Sequence, residues 1–440
     1  MKLKTSFAIL LTLALFTAGH AQTLDKAKLD QFFDRLAEKN KAMGSLTVAR
    51  DGNVLYTRAI GYSQICGAGK RPSTAATRYR VGSITKMFTA SMIFQLAEEG
   101  KLKLTDTLDK FFPQIPNAKK ITIAHILAHR SGIHSFTSDP DFPTWLMKAK
   151  TKDEMLAVIA KGAPEFEPGE KMAYSNAGYI LLGYVIEKVT GKPYQDALKE
   201  RITSRLGLKD TYLGTGNIEA NRNESFSYKY AGDWKQETET HLSIPGGAGA
   251  LISTPTDLTK FIQALFDLKL VSRESLNQMM QNKMGMFTFP LYDKTLYGHG
   301  GGIDGFNSML VYLPEEKLAV SYISNGMVYP TNNILLGVFD IYANRPFTIP
   351  TFESVAVKPE VLDKYLGVYS SPGFPLKITV TRDATALYAQ ATGQSSFPLE
   401  ATAPDKFRFD EAGIVMEFDA AKNQMTLKQG GRETVFTKEK

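Results

Sequence analysis

A serine hydroxyl three residues ahead of a lysine amine can carry out acyl transfer, and the stretch from Arg78 to Gly100 holds such a pair in Ser83 and Lys86. Residues three apart on a helix share a face, so the hydroxyl and the amine come within reach of each other. Serine is a weak nucleophile until a base takes its proton, and lysine serves as that base only where burial lowers its pKa. Met87, Phe88, Ala90, Met92, Ile93, Phe94 and Leu96 leave almost no polar face on the expected helix, the pattern of a helix inside a large domain. Gly82 permits a tight entry and Gly100 supplies the stop. The helix start also brings partial positive charge and free N–H groups to Ser83, where they suit negative charge developing on a substrate oxygen.

Two further stretches could complete such a site. Tyr174-Ser175-Asn176 lies between Glu167-Pro168-Gly169-Glu170 and an apolar run, which places it on a loop at a domain edge. A tyrosine there can pass a proton to a leaving group, and an asparagine can hold both a lysine amine and a substrate amide. Gly298-His299-Gly300-Gly301-Gly302 puts four glycines on a strand, at a cost in packing and backbone entropy. That cost points either to a ligand laid along the backbone as an added strand or to a flexible turn. A metal hydrolase is the competing chemistry, because His125 and His129 stand one helical turn apart and His134 follows. The turn lacks the glutamate of His-Glu-x-x-His, so zinc is the weaker reading and no metal or cofactor is expected.

The elements that must position these residues follow from patterning. Residues 24–41 read as an amphipathic surface helix, and 45–50 with 54–59, joined by Asp51-Gly52, as a hairpin. Short helices are expected over 121–129, 144–150 and 152–161, longer ones over 176–190, 194–206 and 258–266, and a closing helix over 331–342. A second hairpin, 307–313 with 318–324, implies that one sheet is assembled from the two ends of this region with helices packed on it. Residues 346–358 read as a linker. Beyond them seven or so short strands alternate by two, as in a small antiparallel barrel or sandwich.

Composition bounds the rest. With 440 residues and 43% hydrophobic content the chain can bury a large core and more than one domain. Residues 1–21 have the form of a secretory signal, Met1-Lys2-Leu3-Lys4 followed by an apolar run and cleavage after Ala21. The run is shorter than the roughly 20 residues a membrane span needs, so a periplasmic or secreted protein without a stable membrane anchor is expected. Removing Lys2 and Lys4 takes the formal charge from +7 to +5, with no basic run to suggest nucleic acid. Cys66 is the lone cysteine, which excludes an intramolecular disulfide. The expected partner is a small-molecule or peptide substrate; nothing in the composition speaks to oligomeric state.

Taken in order, Ser83-x-x-Lys86, Leu127-Ala128-His129-Arg130-Ser131-Gly132, Glu167-Pro168-Gly169, Tyr174-Ser175-Asn176, Gly249-Ala250-Leu251-Ile252-Ser253 and His299-Gly300-Gly301 resemble the serine β-lactamase and penicillin-binding-protein superfamily. The likeness is to the class C β-lactamase-like branch, which also holds D-alanyl-D-alanine carboxypeptidases, D-aminopeptidases and esterases, and it covers Leu46 to about Tyr342. The segment from Leu362-Asp363-Lys364-Tyr365 resembles the lipocalin-like β domain appended to such hydrolases. The resemblance implies an α+β fold, an α/β sandwich of antiparallel sheet and helical region over residues 22–345, followed by a small all-β barrel over 359–440.

It also implies roles. Ser83 is the expected nucleophile, Lys86 its base, and Tyr174 a partner in proton transfer. Asn176 is expected to orient Lys86 and substrate, with His299, Gly300 and Gly301 along the substrate and the backbone N–H groups of Ser83 and Gly302 as the oxyanion hole. No metal is called for. The β-lactamases of this branch usually carry Lys-Thr-Gly where this chain has His299-Gly300-Gly301. A histidine of ordinary pKa, about 6.5, is mostly neutral at pH 7 and offers no fixed charge to a substrate carboxylate. The expectation is therefore a serine hydrolase acting through an acyl-serine on small esters or D-amino-acid amides, with weak or absent cephalosporin hydrolysis. The alternative is a catalytically weak penicillin-binding or peptidoglycan-fragment sensor on the same fold.

Overall fold

The computed structural model describes residues 24–67, 69–383 and 386–439; the expected signal at 1–21 lies outside them. The chain opens with helix α1 (Lys26–Glu38) and the hairpin β1 (Ala42–Arg50) and β2 (Asn53–Ile60). Helix α2 (Thr85–Glu98), α3 (Asn176–Thr190) and α4 (Pro255–Phe266) dominate the interior. Four strands follow, β3 (Phe287–Leu291), β4 (Lys294–Ile303), β5 (Phe306–Leu313) and β6 (Leu318–Met327), and then α5 (Thr331–Tyr342).

These strands form one sheet in the order β3-β4-β5-β6-β1-β2, with two short strands at Tyr228–Tyr230 and Trp234–Gln236 attached to β6. The N-terminal strand β1 lies antiparallel to β6, Leu46 opposite Tyr322, so the two ends of the region meet at the sheet centre as the sequence implies. Burial at eight of the nine β1 residues follows from helices on both faces. Phe32, Phe33, Val338 and Phe339 of α1 and α5 cover one face with Leu46, Val48 and Tyr322, whereas α2, α3 and α4 form the larger core on the other. There Phe88 of α2 stacks on Phe261 of α4 with ring centroids 3.7 Å apart. Burying a phenylalanine contributes about 2–3 kcal/mol.

The C-terminal region is a closed eight-stranded barrel between Gly367 and Lys438. The eighth strand is Phe397–Ala403, obscured in the sequence by Pro398 and a polar outer face. Lys41, beside the start of β1, ties the barrel to the first domain through a 2.6 Å ion pair with Asp410. Among the described residues no helix is long and apolar enough to cross a membrane.

Several expected elements shift. The helix placed at 121–129 is Ile123–Leu127, because Thr122 caps it and His129 adopts a left-handed φ of 55°. The helix placed at 144–150 is Phe142–Trp145, with Pro143 inside its first turn. The helix at 194–206 contains a π-helical segment, Lys199–Thr203. The helix Arg273–Gln281 and edge strand β3 are among the elements that escape the sequence reading. Pro290 is tolerated in β3 because that strand has a free side.

Candidate active site

Ser83 sits in a 3₁₀ turn, Gly82–Ile84, that runs directly into α2. Neither the turn nor α2 is capped by a side chain; the Ile84 N–H donates to the Val81 carbonyl, and the Thr85 N–H to the carbonyls of Gly82 and Ser83. Thr85 holds the turn from inside: its hydroxyl donates to the Gly82 carbonyl at 2.7 Å and accepts the Leu251 N–H at 3.1 Å. Gly82 has a φ of +51°, and a Cβ there would lie 2.9 Å from the Gly302 nitrogen. A Cβ on Gly301 would lie 2.1 Å from the Val81 carbonyl oxygen and 3.1 Å from the Ser83 nitrogen. Strand β4 thus passes against the serine turn with no room for side chains.

That contact corrects part of the glycine reading. Gly301 is required by the chain's own packing, and the run is regular strand, not a flexible turn. Strand β3 pairs with β4 only as far as Gly298, while His299 to Ile303 pair with β5 on the other side. The edge of β4 beside Ser83 is where an extended ligand can add. Gly300 faces away toward Met309 and reaches the site through its carbonyl, which the His299 Nδ1 contacts.

Lys86 is fully buried and makes three contacts from Nζ: Ser83 Oγ at 3.0 Å, Asn176 Oδ1 at 2.8 Å and the Ala248 carbonyl at 2.8 Å. Burial drives its pKa well below the ordinary lysine value. A neutral amine has two N–H donors and one lone pair. The two carbonyl oxygens take the donors, and the lone pair is left for the Ser83 hydroxyl, the arrangement of a base facing its proton. Tyr174 hydrogen-bonds with Ser83, and its ring lies 4.8 Å from the Lys86 Nζ. Burial pushes the Tyr174 phenol up to about 12, against the opposing effect of Ser83, so at neutral pH it keeps its proton.

Two buried histidines frame Tyr174. His129 stacks on it with centroids 4.3 Å apart, accepts the Ser175 N–H on Nδ1 at 3.2 Å and accepts the Ala173 N–H on its own carbonyl at 2.9 Å. Both peptide neighbours of Tyr174 are therefore fastened to one residue. His129 thus commits its Nδ1 to the Ser175 N–H, and His125 commits its own Nδ1 to the Thr122 N–H. His299 lies 6.3 Å from the Tyr174 ring and is held down to about 3, chiefly by burial and secondarily by the Lys86 charge. Its Nδ1 faces the Gly300 carbonyl, so the neutral ring donates there and leaves a lone pair on Nε2, which has no partner among the described residues.

Thus Ser83, Lys86, Tyr174, Asn176, His299, Gly301 and Gly302 converge. A cavity of about 230 Å³ opens beside Ser83 and Asn176, walled by Phe136, Phe142, Ile180, Ile244 and Ile303. Sequence reasoning did not single out Ala248 or Thr137. A backbone acceptor leaves no residue-type signal, and Ser135-Phe136-Thr137-Ser138 has the composition of any loop.

A profile of the family described as Beta-lactamase matches residues 29–337. Penicillin-binding protein 4* of Bacillus subtilis (strain 168) is 27% identical over 449 residues, spanning 92% of this chain and 97% of its own. The structure of D-amino acid amidase from Ochrobactrum anthropi SV3 complexed with D-phenylalanine is similar at a TM-score of 0.65 and 27% identity, covering 72% of this chain and 99% of that one. The octameric penicillin-binding protein homologue from Pyrococcus abyssi reaches a TM-score of 0.65 at 25% identity and covers 94% of this chain, barrel included, and 100% of its own.

Proposed function

This chain belongs to the β-lactamase family of serine hydrolases, and from that premise we propose that it hydrolyses small esters and amides of D-amino acids through an acyl-serine on Ser83. The observation that carries the reading is the buried Lys86 amine, 3.0 Å from the Ser83 hydroxyl with both of its N–H donors engaged elsewhere. Lys86 accepts the Ser83 proton as the oxygen bonds to the substrate carbonyl carbon. Negative charge gathers on the carbonyl oxygen, toward the N–H groups of Ser83 and Gly302. Tyr174, protonated at neutral pH, delivers a proton to the departing alcohol or amine, and the proton that Lys86 took from Ser83 replaces it, returning Lys86 to its neutral form. Water then attacks the acyl-serine by the reverse sequence.

Substrate preference follows from the walls. The cavity beside Ser83 is mostly apolar, with Thr137, Thr240 and Asp304 also in its lining, and suits an apolar substituent on the acyl group. A neutral His299 gives the β4 edge a hydrogen-bond acceptor and no cation, which favours an amide N–H or ester over a free carboxylate. The D-amino acid amidase likeness supports the same class.

The test is a panel of p-nitrophenyl esters, D-aminoacyl amides, D-alanyl-D-alanine peptides and a chromogenic cephalosporin, with fluorophosphonate labelling alongside. Turnover of the first two, labelling abolished by Ser83→Ala, and little cephalosporin hydrolysis are expected. Absence of labelling turns the reading toward a non-catalytic binder, and rapid cephalosporin turnover defeats the argument from His299.

A further inference from the structure

The two N–H groups that meet a developing oxyanion come from segments far apart in the chain, so something must tie those segments together. Ser83 belongs to the turn before α2, and Gly302 to the end of β4. The two backbones press against each other, yet among the described residues no backbone hydrogen bond joins the turn to β4. Close contact sets how near the segments can come. It does not fix how each peptide plane is tilted.

Ser308 on β5 supplies the tie. It stands opposite Gly301 in the β4–β5 register and is buried. Its hydroxyl donates to the Val81 carbonyl at 2.9 Å and, more weakly, to the Gly301 carbonyl at 3.3 Å. Both partners are carbonyl oxygens, which only accept, so the direction of each bond is fixed. The Gly301 carbonyl and the Gly302 N–H belong to one planar trans peptide and point in opposite directions. Holding that carbonyl toward β5 turns the Gly302 N–H toward the serine turn, the side on which a Cβ at Gly82 would lie 2.9 Å from the Gly302 nitrogen. The same hydroxyl holds the peptide that leads into Gly82, so one atom references both donors.

A second tie lies further out. Arg80 and Asp304 pair at 2.8 Å with side chains 1% and 2% exposed, and Asp304 also accepts the Thr240 N–H at 2.8 Å. This ion pair keeps the two segments adjacent without Ser308, and the Val81 carbonyl also accepts the Ile84 N–H at 3.3 Å. Removing the Ser308 hydroxyl therefore frees the tilt of the peptides without parting the segments.

We propose that Ser308 is a positioning residue of the oxyanion hole, which holds the Gly302 N–H in register with that of Ser83. This rests on the reading of those two N–H groups as the hole.

The experiment measures single-turnover acylation of the parent, Ser308→Ala and Ser308→Cys, each as the full chain, by a p-nitrophenyl ester and by its thionoester, in which sulfur replaces the carbonyl oxygen. Sulfur is a weak hydrogen-bond acceptor and gains little from the hole, so the ester-to-thionoester rate ratio reports what the hole contributes. Partial unfolding slows both substrates alike. Alanine removes the hydroxyl; cysteine fills its space with a weak donor and reads the inference where alanine weakens the fold. Both variants are expected to lower the maximal rate on the ester about tenfold, with little change in the half-saturating concentration, and to shrink the ratio by a similar factor. That is part of the roughly 10²–10³ lost with a whole oxyanion donor. An unchanged ester rate, equal slowing of both substrates, or a cysteine variant that matches the parent overturns the inference while the parent ratio keeps the hole in place. A parent ratio near one removes the oxyanion-hole reading itself, and the inference with it.

Discussion

Two regions bordering Ser83 use the same residue type in opposite ways. On the floor, His129 and His299 are buried among aromatic rings without a carboxylate, and burial holds both down to about 3. At the rim, His134 on the loop that carries Thr137 is half-exposed and lies between two carboxylates, Nε2 at 2.6 Å from Asp139 and Nδ1 at 2.8 Å from Glu165. Hydrogen bonding to Asp139, then to Glu165, raises its pKa. Burial without a counter-charge makes a histidine a neutral fixture, whereas carboxylate partners at the surface make it a titrating clamp. The floor histidines can thus keep one protonation state across a wide pH range while the rim histidine responds to pH.

The sharpest way to break the contrast is to remove the one floor group whose titration matters. Lys86→Ala should lower kcat/KM for a p-nitrophenyl ester by about 10³-fold, the scale of a lost general base. In the parent, kcat/KM should rise with pH through the lowered lysine pKa and then level off. Below its unfolded value but above its folded one, Lys86 is charged in the unfolded chain and neutral in the folded one, so stability should rise with pH across that window. Chemical denaturation of parent and Lys86→Ala over pH 7–10 reads this slope, and an identical slope in both would show that Lys86 does not titrate there.

Placing a cation where the floor holds a neutral ring has a smaller expected effect. His299→Lys should raise the rate on substrates with a free carboxylate by about tenfold relative to the matching amides, on the scale of one charge-assisted hydrogen bond. Unchanged selectivity in a folded His299→Lys protein would remove His299 from the account of substrate choice.

The rim should yield the least. His134 has a folded pKa above its unfolded one, so its stabilising contribution is fully present below about pH 6.5 and is lost as pH rises through the raised value. Hydrogen exchange of residues 132–139 should therefore quicken between pH 6 and pH 9, after correction for intrinsic exchange, and His134→Gln should flatten that dependence. A parent loop that exchanges alike at both ends would dissolve the distinction between clamp and fixture.

Much of this was legible from residue order. The apolar run after Ser83 announces a buried helix, and three-residue spacing puts Lys86 beside the hydroxyl whatever surrounds them. The expected helix over 176–190 and the closing helix over 331–342 match α3 and α5 to the residue, because Ser175 and Gly191 in one and Pro330 in the other are strong local stop and start signals. Local signals fail where long-range packing sets the backbone. His129 falls inside an apolar helical pattern and leaves the helix to hold both neighbours of Tyr174.

Residue types and spacings alone therefore specify the nucleophile, its adjacent amine and the layered α+β architecture, since periodicity and short-range geometry are properties of neighbouring residues. The direction of the Lys86 lone pair, by contrast, depends on the Ala248 carbonyl, 162 residues away, and on Asn176, 90 residues away. Folding is what brings those acceptors together, and it is their geometry that leaves the amine one lone pair, turned toward Ser83.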